Sequence, residues 1–485
     1  MANWQSVLEK IDEWRFKLPK TFKEGMRVDG LIYCDEQLID HIVTENAHLQ
    51  VANVACLPGI VGNSLAMPDI HLGYGFAIGG VAAFDPDQGG IISPGGVGYD
   101  INCGVRALRT DLSYDDIKDK VDQITTKIAS EVPSGVGKEG PISLSAKQLD
   151  QVLTIGSKWA VKNGYGEEDD VLHTESNGAL DWADPSKVSS HAKERGANQL
   201  GTLGSGNHFL EIQRVEEIYD EKAAAVFGLF KDQITIMVHS GSRGLGHQVC
   251  SDHIKVMFKA LQKYNIQVPD RQLCCTPINS PEGLDYYAAM ACAANYAWCN
   301  RQLLMHWTRE SFSKVLGSSY SKLGIKLIYD VAHNIAKKEK HMVGGKEKEL
   351  CVHRKGATRA FPAGHPEIPK EYKGVGQPVI IPGDMGRYSY MLVGTEQAMK
   401  ETWGSVCHGA GRMMSRTAAS KKFSMEGLLK ELGSKGIVAK AASKRGLVEE
   451  APGAYKDVRE VVNIVDQAGL AKKVAKMRPL GVVKG

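Results

Sequence analysis

The sequence predicts an α+β fold, with a β-sheet core and surrounding helices in one large unit over residues 1–485. Two observations predict it. Helical periodicities and short β-branched runs are interspersed along the chain. No Pro/Ser-rich linker divides them, although the length would allow about three ordinary domains. In chain order, Trp4, Val7, Leu8, Ile11 and Trp14 share one helical face, and Ile117, Val121, Ile124 and Ile128 form an apolar stripe after a polar start at Ser113. Residues 234–238, 325–329 and 379–381 read as strands, each ending in a polar turn. The Ala-rich segment 284–315 reads as a long helix with Asn279 or Ser280 near its cap, and 424–432 and 458–477 read as further helices. The polar stretch 337–348 reads as a surface loop.

Composition excludes several classes. With 59 Lys+Arg against 56 Asp+Glu, the net charge of +3 rules out a wholly basic, tail-driven nucleic-acid binder but permits a local basic groove. The most apolar stretch, 59–84, is interrupted by Pro68, Asp69 and His71, so no membrane helix is expected. The first residues lack the basic and apolar regions of a secretory signal. Ten cysteines without a CxxC pair indicate neither a zinc ribbon nor a disulfide framework, which points to reduced, buried thiols and a cytoplasmic or nuclear location. Glycine is over-represented at 52 residues, clustered beside polar residues rather than in a repeat. Such clusters let a ligand approach bare backbone N–H groups.

Those clusters hold the residues suited to chemistry. Ser93-Pro94-Gly95-Gly96-Val97-Gly98-Tyr99-Asp100-Ile101-Asn102-Cys103-Gly104 offers a carboxylate and a thiol, which can share a divalent metal. Alone, it reads better as a turn carboxylate beside a small buried thiol. His208, His239 and His333 each lie at a strand or loop end, and neutral imidazole is the commonest protein metal ligand. A lone histidine is more often structural; three beside an Asp/Cys pair shift the balance toward ligands. Cys407-His408-Gly409-Ala410-Gly411-Arg412 places an imidazole and a guanidinium on a backbone able to cradle phosphate. His408 is a candidate nucleophile toward phosphorus, Cys407 a rival nucleophile, and a glycine-rich helix start the plain alternative. Residues 353–359 form a basic run, while Arg243, Arg412 and Arg416 stand near the site segments. A lysine as close to the end as Lys484 is ordinarily solvated.

Together these segments resemble the RtcB family of RNA-splicing ligases. The resemblance includes Pro68-Asp69-Ile70-His71-Leu72-Gly73-Tyr74-Gly75-Phe76, the Asp100/Cys103 segment, Gly206-Asn207-His208-Phe209, Ser240-Gly241-Ser242-Arg243 and Val331-Ala332-His333-Asn334. It continues through His353-Arg354-Lys355-Gly356-Ala357, His408-Gly409-Ala410-Gly411 and Lys484-Gly485. No one segment is diagnostic; eight in order along nearly the whole chain are specific.

The resemblance implies a GTP-dependent enzyme with two Mn²⁺ ions that joins RNA 3′-phosphate or 2′,3′-cyclic phosphate ends to 5′-hydroxyl ends, tRNA halves among them. Asp100, Cys103 and His208 would hold one ion, and Cys103, His239 and His333 the other. His408 would carry GMP. Guanylate contacts would come from Asn207, His208, Phe209, Leu210, Glu211, His333, Asn334, Pro382, Gly383, Asp384, Met385, Ser389, His408, Gly409, Ala410, Gly411 and Lys484. Asp384 stands where some family members carry serine and is placed near the guanine edge. Arg243, Lys355 and Arg412 would hold RNA phosphates; Asp69 and His71 receive no direct role. An archease-like activator is a candidate partner, and no membrane is involved. The alternatives are a metal-dependent phosphoesterase acting on RNA ends, which needs neither His408 nor Lys484, and a non-catalytic RNA-binding subunit.

Overall fold

The computed structural model describes residues 4–135 and 137–485. Among them two large sheets carry the architecture, and helices pack around them, so the fold is α+β. The first sheet orders Glu9–Lys10, Arg15–Leu18, Gly30–Tyr33, Ile60–His71, Ile78–Phe84, Lys346–Lys355 and Asn334–Val343. The second orders Lys326–Ala332, Gly104–Ser113, Gln233–Ser240, Phe209–Ile218, Ala471–Lys484, Ser389–Gly394 and Pro378–Ile381, and Val438–Ala441 pairs in parallel with Ala471–Lys484. The chain crosses between the sheets at His333, which separates Lys326–Ala332 from Asn334–Val343.

The second sheet packs apolar side chains on both faces, as its central strand Gln233–Ser240 shows. On Gln233–Ser240, Ile234, Ile236 and Val238 pack with Leu304, Met305 and Phe312 of a long helix. Met237 points the other way, into a cluster with Val105, Phe227 and Ile328. That helix, Pro281–Leu316, starts at Ser280, whose side chain accepts the Gly283 N–H at 3.1 Å. It is buried almost all round, as expected of a helix at the centre of a large core. Among its interior polar residues, Asn295, Asn300, Arg301 and Arg309 are hydrogen-bonded.

Several expectations from sequence are corrected. Residues 4–14 do not form one helix: Trp4–Ser6 is a single 3₁₀ turn, Glu9–Lys10 pairs with Arg15–Leu18, and Ile11 is 55% exposed. Asp12 makes this turn by accepting the Trp14 N–H at 2.8 Å. The stripe after Ser113 divides into Tyr114–Ile117 and Val121–Glu131. The polar stretch 337–348 is a hairpin closed by Gly344-Gly345, both with positive φ, a turn that matches strand twist. Two of its charges are internal, Lys337 paired with Glu175 at 2.5 Å and Glu339 with Arg354 at 2.5 Å, while Lys340, Lys346 and Glu347 toward the tip are exposed.

The apolar periodicity of 458–477 also misleads beyond its first half. The helix Val458–Gln467 stops at Gly469, whose φ of +77° lets the Leu470 N–H return to the Val465 carbonyl at 3.0 Å, and Ala471–Lys484 is a strand. A Cβ at Gly469 would meet nothing closer than 3.7 Å, so replacement costs backbone strain alone. Gly469→Ala is expected to destabilise the protein by about 1 kcal/mol, seen as a lower urea midpoint at unchanged slope.

Candidate metal and nucleotide site

Antiparallel pairing brings four sequence-distant ligand candidates to one rim. Ala332 lies opposite Gly104, Gly104 opposite Ser240, and His239 opposite Phe209. Cys103 just before its strand, His208 just before its own, His239 at a strand end and His333 just after one therefore meet. Lys484 lies opposite Phe209 and joins the same rim from the next strand.

The rim residues form two clusters that share one sulfur. Asp100, Cys103 and His208 form one, and Cys103, His239 and His333 the other; within each, the ligand atoms lie within 4.8 Å of one another. Cys103 Sγ lies 3.4 Å from His208 Nε2 and 3.2 Å from His239 Nε2. His239 Nε2 and His333 Nε2 are 3.2 Å apart, and His208 Nε2 is 2.9 Å from Asp100 Oδ2. The Nδ1 atoms of His239 and His333 are buried without a partner among the described residues.

Electrostatics at this point are set by burial. Burial, then neighbouring positive groups, lowers His239 and His333 well below ordinary histidine, so both are neutral lone-pair donors. Burial and the Asp100 carboxylate push the Cys103 thiol well up, so a metal must displace its proton. Desolvation opposes ionisation of Asp100, but the His208 hydrogen bond and charge, followed by Arg243, hold it well below the usual carboxylate range. A carboxylate, a shared sulfur and three imidazoles fit a divalent transition ion in each cluster.

His408 follows the short strand Ser405–Cys407, which pairs with Ala357–Arg359. Its Nδ1 lies 2.5 Å from Asp69 Oδ2, and the same oxygen accepts the backbone N–H groups of His408 at 2.9 Å and Gly409 at 3.2 Å. Those two amides are thus committed to Asp69 rather than open to phosphate, which corrects the cradle expected from sequence. Asp69 is fully buried; its desolvation is outweighed by the charge and hydrogen bonds of His408, so it remains ionised. Nδ1 carries the proton, and Nε2 is the lone pair left to react. Cys407, the rival nucleophile, is fully buried and its thiol is pushed well up by burial and by Asp69.

The His408 ring stands 4.9 Å from that of His333, and His408, Asp100, Cys103, His239 and His333 face one cavity of about 610 Å³, which His208 does not line. Asn207, Phe209, Glu211, Asn334, Pro382, Gly383, Asp384, Met385, Gly409, Ala410, Gly411 and Lys484 line it. Leu210 and Ser389 do not: Leu210 packs in the core with Ile212 and Ile236, and the Ser389 hydroxyl accepts from Gln213 at 3.1 Å. Asp384 pairs with Arg387 at 2.8 Å, and burial raises it to about 6. Lys484 is buried, not solvated, and donates to the Gly206 carbonyl at 3.0 Å.

The basic residues differ most from their expected use. Within the run 353–359, Arg354 and Arg359 are fully buried and paired with Glu339 and Glu367. Lys355 donates to the Tyr74 carbonyl at 2.5 Å and the Gly95 carbonyl at 3.0 Å, tying two loops together, and burial lowers it to about 7. Arg412 is held by Glu450 at 3.1 Å and by the Glu449 carbonyl at 2.9 Å. Arg243 lies 3.3 Å from His208 Nδ1. Sequence reasoning gave no role to Asp69 and overlooked Glu450, a buried acid that also pairs with Arg416 at 3.0 Å. The Pro68-Asp69-Ile70-His71 segment was a visible signal for Asp69; an isolated Glu450-type acid leaves none.

Two clusters of residues that could hold metal ions and a pinned imidazole thus border one cavity. The sequence model of the family described as "tRNA-splicing ligase RtcB" matches residues 50–485. Proteins named tRNA-splicing ligase RtcB are similar over full length: that of Archaeoglobus fulgidus is 55% identical over 483 residues, covering 100% of both chains. Those of Thermococcus kodakarensis and Methanococcus maripaludis are each 54% identical, covering 99% of this chain and 99% and 100% of their own. The chain belongs to the RtcB family.

Glu211 provides a pH test of the site. Burial raises its carboxyl from an ordinary 4.5 to about 7. Between those values the folded state binds more protons than the unfolded state, so stability falls as pH rises. In metal-free protein, Glu211→Gln should gain thermal stability over the parent at about pH 8 and little at about pH 5, in paired melting curves.

Proposed function

We propose that this protein is a GTP- and Mn²⁺-dependent RNA ligase that joins 2′,3′-cyclic phosphate or 3′-phosphate ends to 5′-hydroxyl ends, in tRNA splicing or RNA repair. The observation that carries the reading is the His408 imidazole, pinned through Nδ1 by a buried carboxylate and facing the cavity of the two metal-ligand clusters. A metal-dependent phosphoesterase that attacks with activated water does not need such a nucleophile.

Asp100, Cys103 and His208 would hold one ion and Cys103, His239 and His333 the other. When bound, such ions supply charge neutralisation for the phosphates and activation of water. His408 Nε2 attacks the α-phosphorus of GTP; the new P–N bond replaces the bridging P–O bond and pyrophosphate leaves. The imidazole becomes cationic, and the Asp69 carboxylate on Nδ1 stabilises it. A cyclic phosphate is hydrolysed to a 3′-phosphate beforehand. An oxygen of that 3′-phosphate then displaces His408 from the GMP phosphorus, forming RNA-3′-phosphate–GMP. The 5′-hydroxyl attacks the 3′-phosphate phosphorus, GMP leaves, and the phosphodiester is made. Phe209, Glu211, Asp384 and Lys484, which share the cavity with His408, are proposed to bind the guanylate.

With α-³²P-GTP and Mn²⁺, the parent protein should acquire an acid-labile, base-stable label. His408→Ala and Cys103→Ala should both lose it. Asp69→Asn should keep the imidazole but label about a hundred-fold more slowly. A parent that stays unlabelled, with an archease-like activator added and zinc excluded, contradicts the proposal.

A further inference from the structure

Behind the metal-ligand rim, on the side away from the cavity, lies a fully buried guanidinium that the mechanism above does not use. Arg301 sits on the long helix Pro281–Leu316 and has 0% exposure. A guanidinium has five N–H donors in a rigid fork. All five are engaged here. Nε and Nη2 grip the Asp330 carboxylate at 2.9 and 2.7 Å. Nη1 donates to the carbonyls of Asn102 at 2.7 Å and Ser240 at 2.8 Å, and Nη2 also reaches Asn102 Oδ1 at 2.9 Å.

Each acceptor adjoins a residue of the ligand set. Asn102 precedes Cys103, Ser240 follows His239, and Asp330 lies on the strand Lys326–Ala332 that leads to His333. One side chain therefore cross-links the three segments whose ligands form the second cluster. The fit is close: a Cβ on Gly104 would stand 2.9 Å from Arg301 Nη2. Asn102 is in a left-handed conformation, with φ of +51°, a region that asparagine tolerates better than most non-glycine residues. Its side chain bonds to the same helix: Arg301 to the Asn102 side-chain oxygen, and Asn102 Nδ2 to the Ala294 carbonyl at 2.7 Å. The neighbouring Asn300 extends the brace toward His208, accepting from Gly201 at 2.8 Å and donating to the Thr202 carbonyl at 3.0 Å.

We propose that Arg301 is a positioning residue for the metal centre, holding the Cys103, His239 and His333 segments in ligating register through its five hydrogen bonds. The proposal rests on the metal reading above. Lysine keeps the charge of Arg301 but has three donors on a point-like head, so it cannot serve Asp330, Asn102 and Ser240 together. Arg309, also buried on this helix, is paired bidentately with Asp170 at 2.7 and 2.8 Å and donates to the Ile325 carbonyl at 3.1 Å, at the far end of the strand from His333, and bonds to no residue beside a ligand. It serves as the control for a buried Arg–Asp pair that is structural only.

The test is titration of metal-free full-length protein with Co²⁺, following the sulfur-to-cobalt charge-transfer band that reports on Cys103. Arg301→Lys should bind Co²⁺ about 10–100-fold more weakly than the parent, with an altered band. Arg309→Lys should lower the melting temperature but leave affinity and band unchanged. Should Arg301→Lys not fold, Asn102→Gly removes one anchor of the brace at a position where glycine accepts the backbone angle, and should weaken Co²⁺ binding with an altered band. A folded Arg301→Lys protein with the parent's affinity and band overturns the proposal, as does Arg309→Lys weakening binding equally, or Asn102→Gly matching the parent. A parent protein that takes up no Co²⁺ overturns the metal reading and the brace with it.

Discussion

The structure depends on the crowding of lone pairs at Cys103. A sulfur, two neutral imidazole nitrogens and a third imidazole beside a carboxylate converge within 4.8 Å in each cluster, mostly out of contact with water. Buried polar atoms are costly unless each has a partner, and here two imidazole Nδ1 atoms have none while the Nε2 atoms face one another. A divalent cation in each cluster would turn that mutual repulsion into shared coordination. The surrounding fold is organised to hold this otherwise unfavourable arrangement.

Two architectural features accomplish it. Antiparallel pairing in the second sheet makes strand starts and strand ends alternate along one rim, so residues from positions 103, 208, 239 and 333 become neighbours. His333 is also the point where the chain leaves that sheet for the first. Asn334 then donates to the Asp100 carbonyl at 3.0 Å and accepts the Gly356 N–H at 2.9 Å. The His408 turn is anchored independently, by Asp69 on the strand Ile60–His71. The nucleophile thus reaches the cavity from the first sheet's side and most of the ligands from the second's.

Sequence made residue types legible more readily than their convergence. The strands at 234–238, 325–329 and 379–381 and the long helix were visible because burial left clear apolar patterns. The hairpin over 334–355 was hidden because its buried positions carry Lys337, Glu339 and Arg354, satisfied by Glu175 in one case and by each other across strands in the other, which in sequence look like a solvated run. The strand Ala471–Lys484 was hidden because its apolar spacing continued the preceding helix, and only the backbone angle at Gly469 separates them. At the site, Asp100, Cys103, His208, His239, His333 and His408 stood out by residue type and glycine setting. That Cys103, His208, His239 and His333 converge follows from sheet register, which no local spacing encodes. Asp69 stood in a recognised segment without a direct role, because what a single carboxylate holds is not apparent until its partner across 339 residues is known.

The most direct measurement is anomalous diffraction from crystals grown with Mn²⁺, with the metal content of the same protein determined by mass spectrometry. Two ions per chain, both within bonding distance of the Cys103 sulfur and each joined by its own histidines, is the predicted result. A single ion, or two ions of which one lies away from Cys103, would contradict the account.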